Sequence, residues 1–465
     1  MTATAEPLPT ERMRWSTGGA IVSGNVLQPL NSSMIALAVV SLTANFGPSD
    51  LMPWVLSAMY IATAVAAPVS GRLGALLGAR RIYLAGLWLI LAGSFIGLAA
   101  PDLVWVVLSR VVVGLGTAAQ YPNAVALIRR YARRHNVRTR GVLSLLAIGG
   151  QVTVAFGPTV GGLLVGLLGW RAVMWVNVPV VIACAAMVWT CVDRDDPVTA
   201  TRRELLPALD LPGVGLFLAW VVSLMVFLLS VVEHPRWWLL AIFAVALALF
   251  VVRERHARSP FLNVSTLLRN RALSGTLART VLTWTAFYAV YFGFPQWLQS
   301  ARGLTPAEAG MMMFPLAAVG VFCVLLATRT CRVAGPRRSL LWGTSALAVG
   351  GGIIAVAAAS GIPELILLVA VVAGIPNGFN NIGNQTVVDL ATPDDDIGTA
   401  MGLYRTTQYI GANFAAVALE IVSGPTMTDA GFGRLGWLIA GLGALLLVST
   451  LAARSLSPTR LLPAR

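Results

Sequence analysis

Three arginines lie inside long apolar stretches of the chain, where a charged side chain is costly. Arg110, Arg279 and Arg405 each have apolar sequence on both sides. An arginine at the centre of a membrane helix costs about 2.5–3.5 kcal/mol on insertion scales, so such residues are expected to face a polar cavity. The sequence therefore predicts polar chemistry in the interior of a membrane protein.

Other kinds of chemistry are excluded by residue type. All 33 residues in the combined count of lysine and arginine are arginine, so the chain has no lysine for a phosphate-binding P-loop or a Schiff base. The histidines, His135, His234 and His256, fall in polar connections and form no zinc-binding pattern. The four cysteines show no C-x-x-C spacing and are typical of small buried residues. We expect neither a metal nor a cofactor.

The composition indicates the elements that hold these residues. The 465-residue chain is 57% hydrophobic and 11% charged, and its mean hydropathy is +0.78. Soluble domains are about one-quarter charged, so we predict an all-α polytopic membrane protein. A spanning helix needs about 20 apolar residues. The chain has fourteen such runs, at approximately 17–43, 52–77, 80–100, 103–130, 141–168, 171–192, 211–232, 237–252, 272–298, 305–328, 338–359, 364–389, 397–423 and 433–453.

The distribution of arginine predicts the topology. With the N-terminus inside, 26 arginines fall on the cytoplasmic side and four (Arg171, Arg236, Arg302 and Arg434) on the outer side. Cytoplasmic loops carry such an excess of basic residues. We predict a multi-pass protein of the cell membrane with both termini in the cytoplasm. The same distribution explains the net charge of +14 without a nucleic-acid partner.

A short basic turn recurs in the two halves of the chain. Gly78–Arg81 follows the second run and Gly335–Arg338 follows the tenth, each between an outgoing and a returning helix. Parallel repeats of this kind are common in transporters. We predict a six-helix bundle over 1–192, two inserted helices with cytoplasmic links over 193–271, and a second six-helix bundle over 272–465. This architecture needs no second subunit, so we expect a monomer in the lipid bilayer.

Three motifs in the first half resemble those of a known family. Gly71–Arg81 resembles the G-x-L-a-D-r-x-G-r-[KR] loop of the major facilitator superfamily, with Ala75 where the family has aspartate. Arg110–Gly116 resembles its R-x-x-x-G-x-G pattern, and Gly157–Gly162 matches the G-P-x-x-G-G motif of its antiporters. The glycines allow helices to approach closely, and Pro158 bends its helix.

Further motifs indicate one branch of that superfamily. Trp170–Pro179 is similar to the W-R-W-x-F-x-x-N-x-P hallmark of the fourteen-helix drug:proton antiporter family. Arg302–Gly310 and the link 258–271 also resemble this family, so the resemblance covers nearly the whole chain. It implies the major facilitator fold and export of a small molecule by rocking of two six-helix bundles. The residues it implies for gating are Gly71, Gly78, Arg80, Arg81, Gly157, Pro158, Gly161 and Gly162.

One departure from that family concerns proton coupling. Its first helix carries L-D-x-T-I-V-N-V-A-L-P, whose aspartate is a candidate proton carrier, and here the equivalent position is Asn31. Asparagine does not titrate. Glu420 and Asp389 are the alternative candidates, although both lie close to predicted helix ends.

Several polar and aromatic residues are candidates for the cavity wall. Asn377, Asn381 and Asn384 share one helical face by their spacing. Interhelical hydrogen bonding without a substrate would also explain them. The predicted substrate-cavity residues are Asn31, Arg110, Trp284, Tyr288, Asn377, Asn381, Arg405 and Gln408.

The preferred function is secondary-active export of drugs, antibiotics or amphipathic metabolites, with proton coupling implied by the resemblance. A uniporter or uptake transporter for a small polar, anionic or lipid substrate is the alternative. A membrane enzyme acting on lipid-linked substrates is more remote. Its candidate, the acidic cluster Asp394–Asp396, is better explained as the N-terminal loop of a helix. We therefore predict a small-molecule substrate and no enzyme activity.

Overall fold

The computed structural model describes residues 13–137, 140–196, 210–231, 234–257, 270–360, 363–392, 397–424, 426–453 and 456. These residues form helices and their connections, without strands. The predicted acidic cluster at 394–396 and most of the motif at 258–271 lie outside the described residues.

Nine helices precede the predicted insertion, and a 3-10 turn at Gly24–Val26 interrupts the first run. They are α1 Trp15–Ser23, α2 Leu27–Phe46, α3 Met52–Leu77, α4 Ala79–Leu98, α5 Leu103–Ala118, α6 Gln120–His135, α7 Arg140–Leu168, α8 Ala172–Trp175 and α9 Asn177–Cys191.

Nine more helices follow within the described residues, two of them in the predicted insertion. They are α10 Leu211–Ser230, α11 Trp237–His256, α12 Arg271–Ser300, α13 Pro306–Met312, α14 Phe314–Ala334, α15 Pro336–Ser360, α16 Pro363–Ala391, α17 Ile397–Ser423 and α18 Asp429–Ala452.

Side-chain caps fix where several helices begin. The Asp102 carboxylate accepts hydrogen bonds from the first-turn amides of α5, and Asn270 does the same for α12. Thr305 and Glu308 form a capping box at the start of α13, and Thr428 caps α18. These side chains satisfy amides that have no partner within the helix.

The helices agree with the predicted runs. Among the described residues, eleven helical segments, some of them made of two consecutive helices, are long and apolar enough to cross a membrane. The other three runs correspond to α7, α12 and α17, which occupy the predicted positions with 27 to 30 residues each. The all-α polytopic fold is therefore confirmed, and the count of fourteen spans stays a prediction.

The same pairs of helices pack together in the first six and the last six runs. In the first set, α2 packs on α7, α3 on α5 and α4 on α5; the corresponding pairs in the second set are α12 with α17, α14 with α16 and α15 with α16. The two sets meet where α3 contacts α17, where α7 contacts α13 and α14, and where α2 contacts α12. We call these two sets the halves.

One end of the molecule is closed by a shared apolar core. We call it the outer end, and it carries the Gly47, Gly169, Gly303 and Gly424 turns; the inner end carries the Gly78 and Gly335 turns. The largest buried cluster contains residues of both halves. On α12, every residue from Thr283 to Gln299 except Gln296 is buried, whereas its inner part alternates between buried and exposed. The halves are thus packed together toward the outer end, and we call this contact between them the outer seal.

The two inserted helices cover one side of the junction between the halves. Helix α10 packs against both α3 and α17, and α11 packs on α10. Their apolar contacts include Phe217 and Val221 against Ile61, Val65 and Ile410.

Candidate functional site

Three tyrosines from three helices meet at the junction of the halves. The Tyr60 ring of α3 lies 5.2 Å from the Tyr288 ring of α12 and 6.1 Å from the Tyr409 ring of α17, between centroids. All three are buried. Aromatic pairs at these distances stabilise packing beyond the area they bury. Tyr288 therefore lies at the junction, as part of the outer seal.

Arg405 forms a cation–π contact across the junction. Its guanidinium carbon lies 4.4 Å from the centroid of the Tyr121 ring, which belongs to α6 of the other half. The Arg405 Nη1 atom is 3.5 Å from Gln408 Oε1, at the limit of hydrogen bonding. No described carboxylate lies within 4.0 Å of it. Arg405 and Gln408 therefore lie where the halves face each other.

A small cavity lies within the second half. Its volume is about 20 Å³, which is sufficient for about one water molecule. Trp284, Phe287, Asn377 and Asn381 contribute to its wall. The Tyr404 hydroxyl, next to Arg405 in the chain, donates a 2.8 Å hydrogen bond to Asn381 Oδ1. The structure thus brings three predicted cavity residues together, inside one half and not between the two.

Arg110 is enclosed within the first half. Its side chain is fully buried, with Nε 3.1 Å from the Val55 carbonyl oxygen and Nη1 3.2 Å from the Asn31 carbonyl oxygen. Its Nη2 atom has no partner among the described residues. The arginine therefore joins three helices, α2, α3 and α5, through main-chain carbonyls.

Asn31 forms a reciprocal amide pair in the interior of the first half. Its Nδ2 atom donates to Asn177 Oδ1 at 2.7 Å, and Asn177 Nδ2 donates to Asn31 Oδ1 at 2.8 Å and to Ser94 Oγ at 2.9 Å. Both asparagines are fully buried. The structure does not bring the Asn31 side chain to the junction, because its amide is satisfied by Asn177 of α9 and by the Leu27 carbonyl oxygen of its own helix.

The G-P-x-x-G-G motif forms part of the outer seal. A Cβ atom on Gly161 would lie 2.8 Å from Met34 Cα, and one on Gly157 would overlap the Ser33 side chain. Across the junction, a Cβ on Gly310 would lie 2.7 Å from the Pro158 carbonyl oxygen, and one on Gly162 would collide with α13 backbone. Thr159 Oγ1 donates to the Gly310 carbonyl oxygen at 2.9 Å. The motif thus allows backbone contact between the two halves.

The loop of the Gly71–Arg81 motif lies at the inner end, and an aspartate from another segment of the chain forms hydrogen bonds with it. Asp195, which follows α9, accepts hydrogen bonds from the Arg80 amide at 3.2 Å and the Arg81 amide at 2.8 Å, and it pairs with Arg130. Gly78 has φ +107°, and any Cβ there would collide with the Asp195 carboxylate.

The remaining parts of this loop contact neighbouring helices. Arg80 Nη2 donates to the Trp189 carbonyl oxygen at 2.8 Å, and Arg81 Nη1 donates to the Leu77 carbonyl oxygen at 3.0 Å. A Cβ on Gly71 would lie 3.3 Å from Pro122 Cβ. All these contacts lie within the first half, so they connect its helices at the inner end.

Comparison with known proteins identifies the fold family. A family model described as Major Facilitator Superfamily matches residues 21–416. The chain belongs to the major facilitator superfamily. A superfamily relative in Bacillus subtilis (strain 168), the uncharacterized MFS-type transporter YwoD, is 30% identical over 437 residues, covering 93% of this chain and 96% of that protein.

Other relatives of this superfamily member have names that refer to resistance and efflux. The lincomycin resistance protein of Streptomyces lincolnensis is 28% identical, and the match covers 100% of this chain and 95% of that protein. The multidrug efflux pump SdrM of Staphylococcus aureus (strain N315) is 24% identical, and the match covers 84% of this chain and 86% of that protein. A crystal structure of a peptide transporter, POT, superposes with a TM-score of 0.72 at 15% identity over 98% of each chain, which supports the fold.

The two carboxylates predicted as proton carriers lie near helix ends of this superfamily member. Asp389 is exposed two residues before the end of α16. Glu420 is half-buried three residues before the end of α17. Their role in coupling stays a prediction.

Some residues of the site were not predicted from the sequence. Asp195 belongs to an acidic run after the sixth predicted span. Because the family aspartate is missing at Ala75, this run could have been recognised as the source of a replacement carboxylate. Tyr60, Tyr121 and Tyr409 are isolated tyrosines within apolar runs, and no local pattern distinguishes them.

Proposed function

We propose that this superfamily member is a secondary-active exporter of drugs, antibiotics or amphipathic metabolites. The observation that carries the proposal is the outer seal, in which Gly157–Gly162 and α13 meet backbone to backbone across the halves. The seal consists of glycine contacts, apolar and aromatic packing, and the hydrogen bonds of Thr159 and Tyr291. Among the described residues it can separate without breaking an ion pair. The names of the lincomycin resistance protein and of the efflux pump SdrM support drugs and antibiotics as cargo.

The proposed transport cycle is alternating access between the two halves. The conformation described here has its outer end closed, so cargo would enter from the inner end. Rocking would then part α7 from α13 and close the inner end. We place the inner end in the cytoplasm and the chain in the cell membrane, on the basis of the 26 arginines on that side.

Proton coupling is the finer part of the proposal. The buried Asn31–Asn177 pair holds no titratable group. This observation favours a second candidate function, which is transport without proton coupling. If protons are coupled, Glu420 or Asp389 is our proposed carrier. We expect Asn31→Asp, which inserts a carboxyl where the resembling family has one, to increase the dependence of transport on a pH gradient.

The test uses inside-out membrane vesicles with an acidified lumen and a pH-sensitive dye. Lincomycin and a panel of other antibiotics are added to wild-type, Asn31→Asp and empty vesicles. Gradient collapse in wild-type vesicles would support antiport through another carboxyl. Movement of labelled lincomycin without collapse would support uncoupled transport. Absence of any movement across the panel would contradict export of antibiotics.

A further inference from the structure

The middle of the helical bundle carries positive charge without a compensating carboxylate. Arg110, Arg279 and Arg405 are the described arginines that lie seven or more residues from the ends of their helices. Every carboxylate of the described helices lies within three residues of a helix end. Seven residues correspond to about 10 Å along a helix. An unpaired charge at such depth is unfavourable unless a ligand or water compensates it.

Of these three arginines, Arg405 is the one whose described contacts reach the opposite half. Arg110 is fully buried and donates to two carbonyl groups of its own half. Arg279 donates to Thr276 Oγ1 at 2.7 Å, one turn nearer the inner end, so its side chain extends along its own helix. Arg405 is half-buried and contacts Tyr121 of the opposite half.

Among the described residues, Arg405 has aromatic and amide partners but no carboxylate. An aromatic ring stabilises a guanidinium by about 0.5–2 kcal/mol, and the Gln408 contact of 3.5 Å is at the hydrogen-bonding limit. A guanidinium has five N–H donors whose geometry matches a carboxylate. Charge-assisted bonds of this kind are about twice as strong as neutral ones.

We propose that the transported compound carries an acidic group and that Arg405 binds it between the halves. The inference rests on the proposed transport function and specifies its substrate class. The Tyr121 ring of the opposite half lies 4.4 Å from the Arg405 guanidinium, and such a ring suits an aromatic or apolar body attached to the acid. An organic acid with a ring system fits both features, and a lipophilic cation would meet an uncompensated positive charge.

The experiment compares two dyes with the same xanthene ring system and opposite charge. Fluorescein is anionic and rhodamine 123 is cationic. Their accumulation is measured in inside-out vesicles containing the wild type, Arg405→Gln, Arg405→Lys or no transporter. We expect the wild type to accumulate fluorescein in preference to rhodamine 123. We expect Arg405→Gln to lower fluorescein transport about tenfold, since a charged hydrogen bond is lost, and Arg405→Lys to retain part of it.

Arg279→Gln is the matched control. Arg279 and Arg405 are each the ninth residue of their helix, α12 and α17, but the described hydrogen bond of Arg279 is to Thr276 of its own helix. We expect Arg279→Gln to leave the preference for fluorescein in place. An equal loss of fluorescein transport in both glutamine variants would overturn the assignment to Arg405. The wild-type preference and the lysine variant remain informative if Arg405→Gln does not insert.

The failure of this inference is distinguishable from failure of the proposed function. Wild-type transport of rhodamine 123 or lincomycin without fluorescein would overturn the acidic-substrate inference and leave the exporter intact. If the wild type moves neither dye nor lincomycin, both the exporter and the acidic substrate are rejected.

Discussion

Asp195 connects three segments at the inner end of the first half: its own segment after α9, the start of α4, and α6. Asp195 is almost fully buried and binds the first amides of α4 together with Arg130. Its negative charge also lies at the positive end of the α4 dipole. The loop that lacks its family aspartate at Ala75 thus receives a carboxylate from a different segment.

We expect Asp195→Asn to lower the thermal midpoint of the detergent-solubilised protein and to slow transport. The variant loses charge-assisted hydrogen bonds, each contributing about 1.5–3 kcal/mol. Asp196→Asn is the control, because its side chain is 79% exposed and lies 4.0 Å from Arg134. Exposed pairs contribute about 0–1 kcal/mol. Equal midpoints for the two variants would refute the role of Asp195.

Asp210 gives the inserted helices a pH-dependent anchor. Burial acts to raise the pKa of its carboxyl, but hydrogen bonds from Arg253 and the Gly213 amide and the Arg253 charge outweigh burial, so the pKa is lowered. The stabilisation is therefore present above the unfolded pKa of about 3.9 and is lost as the pH falls through the folded value.

We expect Asp210→Asn to unfold at a lower temperature than the wild type at pH 7. The difference should shrink as the pH falls below the unfolded-state pKa of about 3.9 and through the lowered pKa of the folded protein, where the wild-type carboxyl takes up a proton. Thermal unfolding of both proteins in detergent between pH 3 and 8 measures this. A difference that does not change over that range would show that charge is not the cause.

At the scale of helices, the outer seal depends on the absence of side chains. We expect Gly162→Ala and Gly310→Ala to weaken it, because each added methyl group meets backbone of the opposite half. Overpacking costs about 1–3 kcal/mol, and 1.4 kcal/mol corresponds to about a tenfold change in an equilibrium. The halves should then open at the outer end more often.

Thiol labelling checks this shift. A cysteine introduced at Thr159 should react faster with a membrane-impermeant maleimide when Gly162→Ala or Gly310→Ala is also present. Gly441→Ala is the control, since no atom lies within 4 Å of its added Cβ. Unchanged labelling in both seal variants would mean that these glycines serve only static packing.

The sequence predicted helices better than it predicted their partners. Runs of apolar residues located the long helices of the described residues, including α12 and α17, which contain buried polar residues such as Arg279, Thr280 and Asn413. The pairing of Asn31 with Asn177 spans 146 positions of the chain. No local periodicity reports such a contact, so Asn31 was expected in the cavity.

Contacts between the two halves are also not predictable from local sequence patterns. The glycine motifs predicted close approach of helices, and in the structure Gly162 lies against the α13 backbone at Gly310. The sequence did not indicate that Tyr121 of one half meets Arg405 of the other, because the contact depends on how the two bundles are docked.

At the scale of the whole molecule, transport requires the halves to separate at the outer end. A Cβ on Gly166 of α7 would lie 3.3 Å from Ala307 Cβ of α13, close to the Cβ separation of about 3.5–4.5 Å in disulfides. We expect Gly166→Cys with Ala307→Cys to cross-link on oxidation. The cross-linked protein should lose transport while its thermal midpoint is maintained, because the bond holds the closed arrangement.

Several controls make this prediction specific to rocking of the halves. The four native cysteines are replaced by serine or alanine so that only the introduced pair reacts. Each single-cysteine variant should transport normally under oxidant, and reduction should restore the double variant. If the cross-linked protein transports at the wild-type rate, cargo crosses without parting α7 from α13, and the alternating-access cycle proposed for this chain is incorrect.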